Sequence, residues 1–168
     1  MAHELTEVEI AKIKEEIAHR QAVVTPQCIA EVQRTRALGD LSENDEYRSA
    51  KRELNRNYSR LRYLKALLDN SVVVNYESEA DEVGLFDHVT LFYDYGDGET
   101  EERTITIVTP LRNDILHDRI SKDSPIAQAI VGHKVGDRVK VKVNDNYTYF
   151  VEIRDLTKGL DDDSLRIN

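Results

Sequence analysis

The sequence predicts an α+β protein, an N-terminal antiparallel α-helical coiled-coil hairpin followed by a C-terminal antiparallel sheet that carries one short helix. Three observations predict it. Apolar residues recur every three or four positions through residues 7–68, the period switches to alternation beyond residue 75, and the two helical stretches are separated by only a few turn-forming residues.

Residues 7–38 space Ile10, Ile13, Ile17, Val24, Ile29 and Val32 at helical intervals with charges between them, the pattern of a long amphipathic helix. Pro26 lacks a backbone donor and its ring crowds the preceding turn, so a bend or short break is expected near Val24 and Thr25. A second segment spaces Tyr47, Ala50, Leu54, Asn57, Leu61, Leu64 and Leu68 alternately by three and four, which is a coiled-coil seam. Asn57 on that seam costs some stability and fixes the register of pairing. Between the helices Gly39 suits the left-handed end of the first helix. Ser42 suits the N-cap of the second, with Asp45 three residues later closing a capping box. So short a connection makes the helices antiparallel, and arms of about 30 residues at roughly 1.5 Å each reach about 45 Å. The tip is residues 39–44.

Alternation predicts strands at residues 72–76, 88–93, 102–108, 138–143 and 147–153, with hairpin turns at 95–99 and 144–146. Residues 124–132 read as a short helix with Pro125 at its first position and Gly132 after its end. The tail, residues 158–168, has no period and is expected to be loose.

Charged residues at 33% and hydrophobic residues at 40%, with no Trp, exclude a disordered chain and suit two modest domains. No apolar run approaches the roughly 18 residues of a membrane span, so no membrane contact is expected. The first residues show no basic segment followed by an apolar one, so no secretory signal is expected. A single cysteine, Cys28, cannot form an internal disulfide and suits a reducing cytoplasm. Residues 1–75 carry 12 Lys/Arg and 12 Asp/Glu, whereas residues 76–168 carry 11 and 20, which puts the whole net charge of −9 on the second part and a domain boundary near residue 75. That balance argues against simple duplex binding. The acidic second domain offers either a surface for a basic protein partner or plain solubility. The histidines His3, His19, His88, His117 and His133 lack metal-ligand spacing, so no structural zinc is expected. Arg48, Lys51, Arg52, Arg56, Arg60, Arg62 and Lys65 make the second helix basic, as a guide for a polyanion or as a solvated face.

Asp40 and Glu43 flank the tip, the part of a hairpin able to enter a narrow channel. Mg²⁺ is commonly held by one or two carboxylates, with water and phosphate oxygens completing its shell, so an incomplete pair becomes useful when a partner supplies the rest. Helix-dipole and capping preferences explain acids at the same place equally well, and spacing alone leaves both readings open.

The stretch Gly39-Asp-Leu-Ser-Glu-Asn-Asp-Glu-Tyr-Arg-Ser-Ala-Lys51 resembles the tip motif of the Gre (GreA/GreB) transcription elongation and transcript-cleavage factors. Arg60-Leu-Arg-Tyr-Leu64 resembles their returning helix. The run from Ile120 through Ser124-Pro-Ile-Ala127, with Gly132 and Val135-Gly-Asp137, resembles their C-terminal domain. The resemblance implies an FKBP-like second domain and a monomeric, cytoplasmic protein that binds bacterial RNA polymerase at the rim of its secondary channel. The protein would reach the 3′ end of the nascent RNA there and stimulate cleavage of backtracked RNA. Asp40 and Glu43 would hold the second Mg²⁺ jointly with the polymerase, with no cofactor bound stably alone, and the catalytic centre would be the polymerase's own rather than an enzyme site on this chain. Leu41, Ser42 and Asn44 would shape the tip, Tyr47 would anchor it, and Ser124, Pro125, Ile126 and Ala127 would contact the rim. The sequence departs from the family pattern at Asp45, where alanine is usual, at Thr109, where glycine is common, and in a longer tail. A third acid at the tip keeps open the alternative of a Gre-like inhibitor that fills the channel without promoting cleavage. An adaptor whose coiled coil only binds a partner helix is the reading that drops the resemblance.

Overall fold

The computed structural model describes residues 2–40, 44–161 and 166–168. The chain divides into two units, residues 1–74 and 75–168.

The first unit opens with a strand, β1 (His3–Leu5), too short to show a period in the sequence. It is followed by helix α1 (Glu7–His19), a π turn (Arg20–Val24), helix α2 (Thr25–Arg36), helix α3 (Asp45–Asp69) and strand β2 (Ser71–Val73). Strand β1 pairs in parallel with β2, so Val72 and Val73, part of the strand predicted over residues 72–76, close the base of the first unit. Thr6 caps α1 through a capping box: its Oγ1 accepts from Glu9 N–H at 3.2 Å, and the Glu9 carboxylate accepts from Thr6 N–H at 3.0 Å. Leu5, Ile13, Leu61, Leu64 and Leu67 are buried in this unit. Each contributes about 1.5–3 kcal/mol by leaving water. Leu67, rather than the expected Leu68, is the buried one at the end of the seam.

The irregularity expected near Val24 and Thr25 takes the form of a widened turn rather than a break. His19, Val24 and Thr25 keep right-handed helical backbone, and Thr25 N–H donates to Arg20 C=O, a ring closed across five residues. The cause is phase. The sheltered positions of the first arm run through Ile13, Ile17, Arg20, Val24, Cys28, Val32 and Thr35. From Arg20 to Val32 they step by four three times in succession, one residue more than a straight seam accommodates, and the wide turn absorbs it. Pro26, which has no N–H to give, tolerates the altered pattern immediately downstream.

The second unit is a five-stranded sheet in the order β5-β4-β3-β7-β6, formed by β3 (His88–Asp94), β4 (Thr100–Val108), β5 (Arg119–Ser121), β6 (Arg138–Asn144) and β7 (Tyr147–Thr157). All neighbours are antiparallel except β4 with β5, so the sheet is mixed rather than wholly antiparallel. Helix α4 (Pro125–Ile130) packs Ala127 and Ile130 into the core made by Val89, Leu91, Ile105, Ile107, Val141, Val151 and Ile153. Alternation along β3 and β6 puts one side of each strand in that core, as a half-buried strand requires.

The described part of the tail is not loose. Lys158 Nζ donates to Asp87 Oδ2 at 2.5 Å, Ser78 Oγ at 2.8 Å and Glu82 C=O at 2.9 Å, while Gly159 N–H donates to Asp87 Oδ1 at 3.1 Å. Asp161 pairs with the buried Arg112 at 2.6 Å, and Asn168 N–H donates to Leu111 C=O at 2.9 Å. A polar, aperiodic segment is thus fixed by charge pairing and backbone hydrogen bonds instead of by an apolar stripe.

Candidate functional site at the hairpin tip

Helix α2 ends with Ala37 as its C-cap, and the chain then turns through Gly39, whose φ of 126° is a conformation that a side chain rarely adopts. Asp40 follows and is exposed. Leu41, Ser42 and Glu43 lie outside the described residues, so Asp40 is the described member of the predicted pair.

The cap of α3 corrects the expected one. Helix α3 begins at Asp45 with Asn44, not Ser42, as its N-cap: Asn44 Oδ1 accepts from Tyr47 N–H at 2.9 Å. Asp45 is therefore the first helical residue and closes no capping box. Its side chain is 94% exposed, with Arg48 at 3.5 Å. Asn44 is preferred because its amide has a second use, Nδ2 donating to Thr35 C=O at 2.8 Å across the two arms. A serine would have to make both contacts from one oxygen, whereas the amide carries its acceptor and its donor on two separate atoms that reach in different directions. Thr35 is fully buried, and its hydroxyl donates back to Glu31 C=O at 2.9 Å, so the last turn of α2 is fixed on its inner side. Nearer solvent, Arg34 makes a two-point contact with Glu31 at 2.7 and 3.0 Å and reaches Glu46 of α3 at 3.4 Å. Tyr47 is half-buried, with Lys51 Nζ 5.9 Å from its ring centre. The tip is thus carried on two helix ends joined by a hydrogen bond and an ion pair.

A second set of contacts joins the arms further down. Arg60 grips Glu16 through Nε–Oε1 at 2.9 Å and Nη2–Oε2 at 3.1 Å, and Arg20 Nε donates to the same Oε1 at 2.9 Å. These hydrogen bonds, Arg60's first, hold the Glu16 carboxyl below its ordinary range, against the opposing effect of partial burial. Arg60 is consequently a clamp between the arms and not part of a solvated basic face, whereas Lys51, Arg52, Arg56, Arg62 and Lys65 are exposed.

In the second unit Ser124 caps α4, its Oγ accepting from Ala127 N–H at 3.2 Å, and Pro125 occupies the first helical position, where its missing N–H costs nothing. Pro125 is exposed, Ser124 and Ile126 are half-buried, and Ala127 is fully buried. Ala127 can therefore set the position of this corner but cannot itself touch a partner. Cys28 is half-buried in the groove between the arms, and the five histidines are dispersed. Among the described residues no three ligating side chains converge on a metal position. No described helix is long and apolar enough to cross a membrane.

Comparison with known proteins decides the family. The model of the N-terminal domain of the GreA/GreB transcription elongation factors matches residues 3–73, and that of their C-terminal domain matches residues 77–158. The chain belongs to the GreA/GreB family. Transcription elongation factor GreA of Thermotoga neapolitana is 37% identical over 139 residues, covering 82% of this chain and 86% of its own length. GreA of Oenococcus oeni is 33% identical over 150 residues, covering 89% and 91%. The crystal structure of GreA factor homolog 1 (Gfh1) of Thermus thermophilus covers 94% of this chain and all of its own, at 20% identity and a TM-score of 0.42, and the family assignment does not rest on it. This Gre factor carries its N-terminal match on the hairpin and its C-terminal match on the sheet unit, in the order the resemblance implied.

Two features of the site escaped the sequence reading. Thr35 looked like one more polar helical residue, although it falls on the sheltered stripe three residues after Val32. Glu16 and Arg60 lie 44 residues apart, and only the hairpin's register brings them together.

Proposed function

We propose that this Gre factor binds RNA polymerase at the secondary channel, passes its hairpin inward and presents Asp40 and Glu43 to the active site, where they share a Mg²⁺ ion with the polymerase. The observation that carries this reading is an exposed carboxylate, Asp40, on a short turn whose flanking helix ends are tied together by Asn44 and Thr35. Two carboxylates make a poor resident site for Mg²⁺ but a suitable half-site, since this ion keeps several waters and takes phosphate oxygens readily. When bound, the ion supplies charge neutralisation and a polarised water for phosphodiester hydrolysis. The chain's part is to bring its two acids to that ion. The exposed cations Arg48, Lys51 and Arg52, on the first turns of α3, favour the 3′ end of the RNA nearby, and Pro125 with its half-buried neighbours Ser124 and Ile126 offers the contact with the polymerase rim.

A second reading has its own observation: the Asp45 side chain, 94% exposed, adds a third acid beside the pair, as an occluding inhibitor would use. Purified backtracked elongation complexes distinguish the two. Shortened transcripts that disappear with Asp40→Ala or Glu43→Ala establish cleavage stimulation. Slowed synthesis without shortening establishes inhibition, and no effect on polymerase leaves only an adaptor.

A further inference from the structure

We propose that Asn57 and the wide turn opposite it form a register lock that sets the phase of the outer half of the hairpin and thereby positions Asp40. The inference rests on the proposed function only for its activity readout.

Asn57 is 3% exposed, on a seam otherwise lined by Ala50, Leu61, Leu64 and Leu67. Both ends of its amide are used across the arms. Its Oδ1 accepts from Arg20 Nη1 at 3.1 Å, and its Nδ2 donates to Thr25 Oγ1 at 2.6 Å. Arg20 opens the π turn and Thr25 is the residue that follows it. One side chain of α3 therefore bridges the two ends of the one irregular turn in the opposite arm. Arg20 is itself held by Glu16, which is gripped by Arg60, so the lock extends one turn towards the base.

The consequence lies at the far end. Were the first arm α-helical throughout, the extra residue would turn α2 about 100° relative to α1. Val32 and Thr35 would leave the sheltered side, and the Asn44–Thr35 hydrogen bond that ties the helix ends at the tip would be lost. A leucine at position 57 would pack as well as its neighbours and would accept either phase. An amide accepts only the phase that pairs both of its groups, because a buried unpaired donor or acceptor is costly. Asn57 is thus a positioning residue, acting through α2 and never touching the reacting atoms.

The test uses the full chain with Cys28→Ser and a pair of spin labels at the exposed positions 33 and 52, one on each arm. The parent is expected to give one narrow interspin distance, and so is Asn57→Asp, which keeps both contacts if the Thr25 hydroxyl turns to donate. Asn57→Leu is expected to melt no lower than the parent, yet to give a split or broadened distance and a fall in transcript cleavage of about 10- to 100-fold. Deleting Val23 removes the extra residue and lets a plain α-helix keep α2 in phase, so in the Asn57→Leu chain it is expected to restore the narrow distance and the cleavage. A single narrow distance in Asn57→Leu, or a broadened distance with full cleavage, overturns the lock. Failure of the parent chain itself to shorten transcripts refutes the proposed function instead, while the distances still decide the lock.

Discussion

Replacing Asn44 by alanine removes two contacts at once, and the structure sets the size of each. The first is the N-cap of α3, Tyr47 N–H to Asn44 Oδ1 at 2.9 Å, with a typical value of about 1 kcal/mol. The second is the bond from Asn44 Nδ2 to Thr35 C=O at 2.8 Å, with a net value of about 1 kcal/mol. The larger penalty for a stranded buried acceptor does not apply, because the Thr35 carbonyl also accepts from Leu38 N–H at 3.1 Å. The expected destabilisation is therefore about 2 kcal/mol, or roughly 1 M in urea midpoint at an ordinary m-value. Asn44→Asp separates the contributions. It keeps the cap acceptor, favoured by the helix dipole, but sets a carboxylate against the Thr35 carbonyl, so it is expected to lose only the bond between arms. Urea unfolding followed by helical ellipticity, with hydrogen exchange at the Tyr47 and Leu38 amides, reads both. An unshifted midpoint for Asn44→Ala refutes the reasoning. Equal losses for the alanine and aspartate variants show that the cap contributes nothing.

Two further outcomes follow from the fold. Because the Glu16 carboxyl sits below its ordinary value of 4.5 when folded, its ion pair stabilises the hairpin fully above that pH and loses its contribution as pH falls through the lowered value. The difference in melting temperature between the parent and Glu16→Gln is accordingly expected to be constant near neutrality and to close in acid; a difference independent of pH would remove the charge from the explanation. Gly159→Ala would drive a Cβ into the Phe86 carbonyl oxygen, a backbone atom that cannot swing aside, and is expected to destabilise the second unit by about 1–3 kcal/mol or more. Exchange protection at the Gly159 amide, held by Asp87, is expected to fall with it, and unchanged protection would show that the tail is not anchored there.

What the sequence disclosed was whatever repeats. The seam from Ala50 to Leu64 and the alternation of β3 and β6 are statements about a single face, and burial enforces them locally. What it hid was decided by partners distant in the chain. Ser42 and Asn44 are both good capping residues, and the choice between them is made by a carbonyl at Thr35, nine residues earlier. The tail has no stripe to reveal it, because Lys158 reaches Asp87 over 71 residues. Ala127 sits in a motif that reads as surface, yet the turn begun by Ser124 and Pro125 carries it into the core. Pro26 did mark an irregularity in the first arm, but phase favoured widening the helix over breaking it. The predicted acids divide in the same way: Asp40 is exposed just past Gly39, while Glu43 lies outside the described residues.

The proposed delivery by this Gre factor of half a cation site that RNA polymerase completes is tested most directly by the Mg²⁺ dependence of transcript shortening. Adding the protein to backtracked complexes is expected to lower the Mg²⁺ concentration needed for half-maximal cleavage. Asp40→Asn and Glu43→Gln are expected to abolish that shift while still competing with the parent for polymerase. A half-maximal concentration that is the same with and without the two acids would contradict the account.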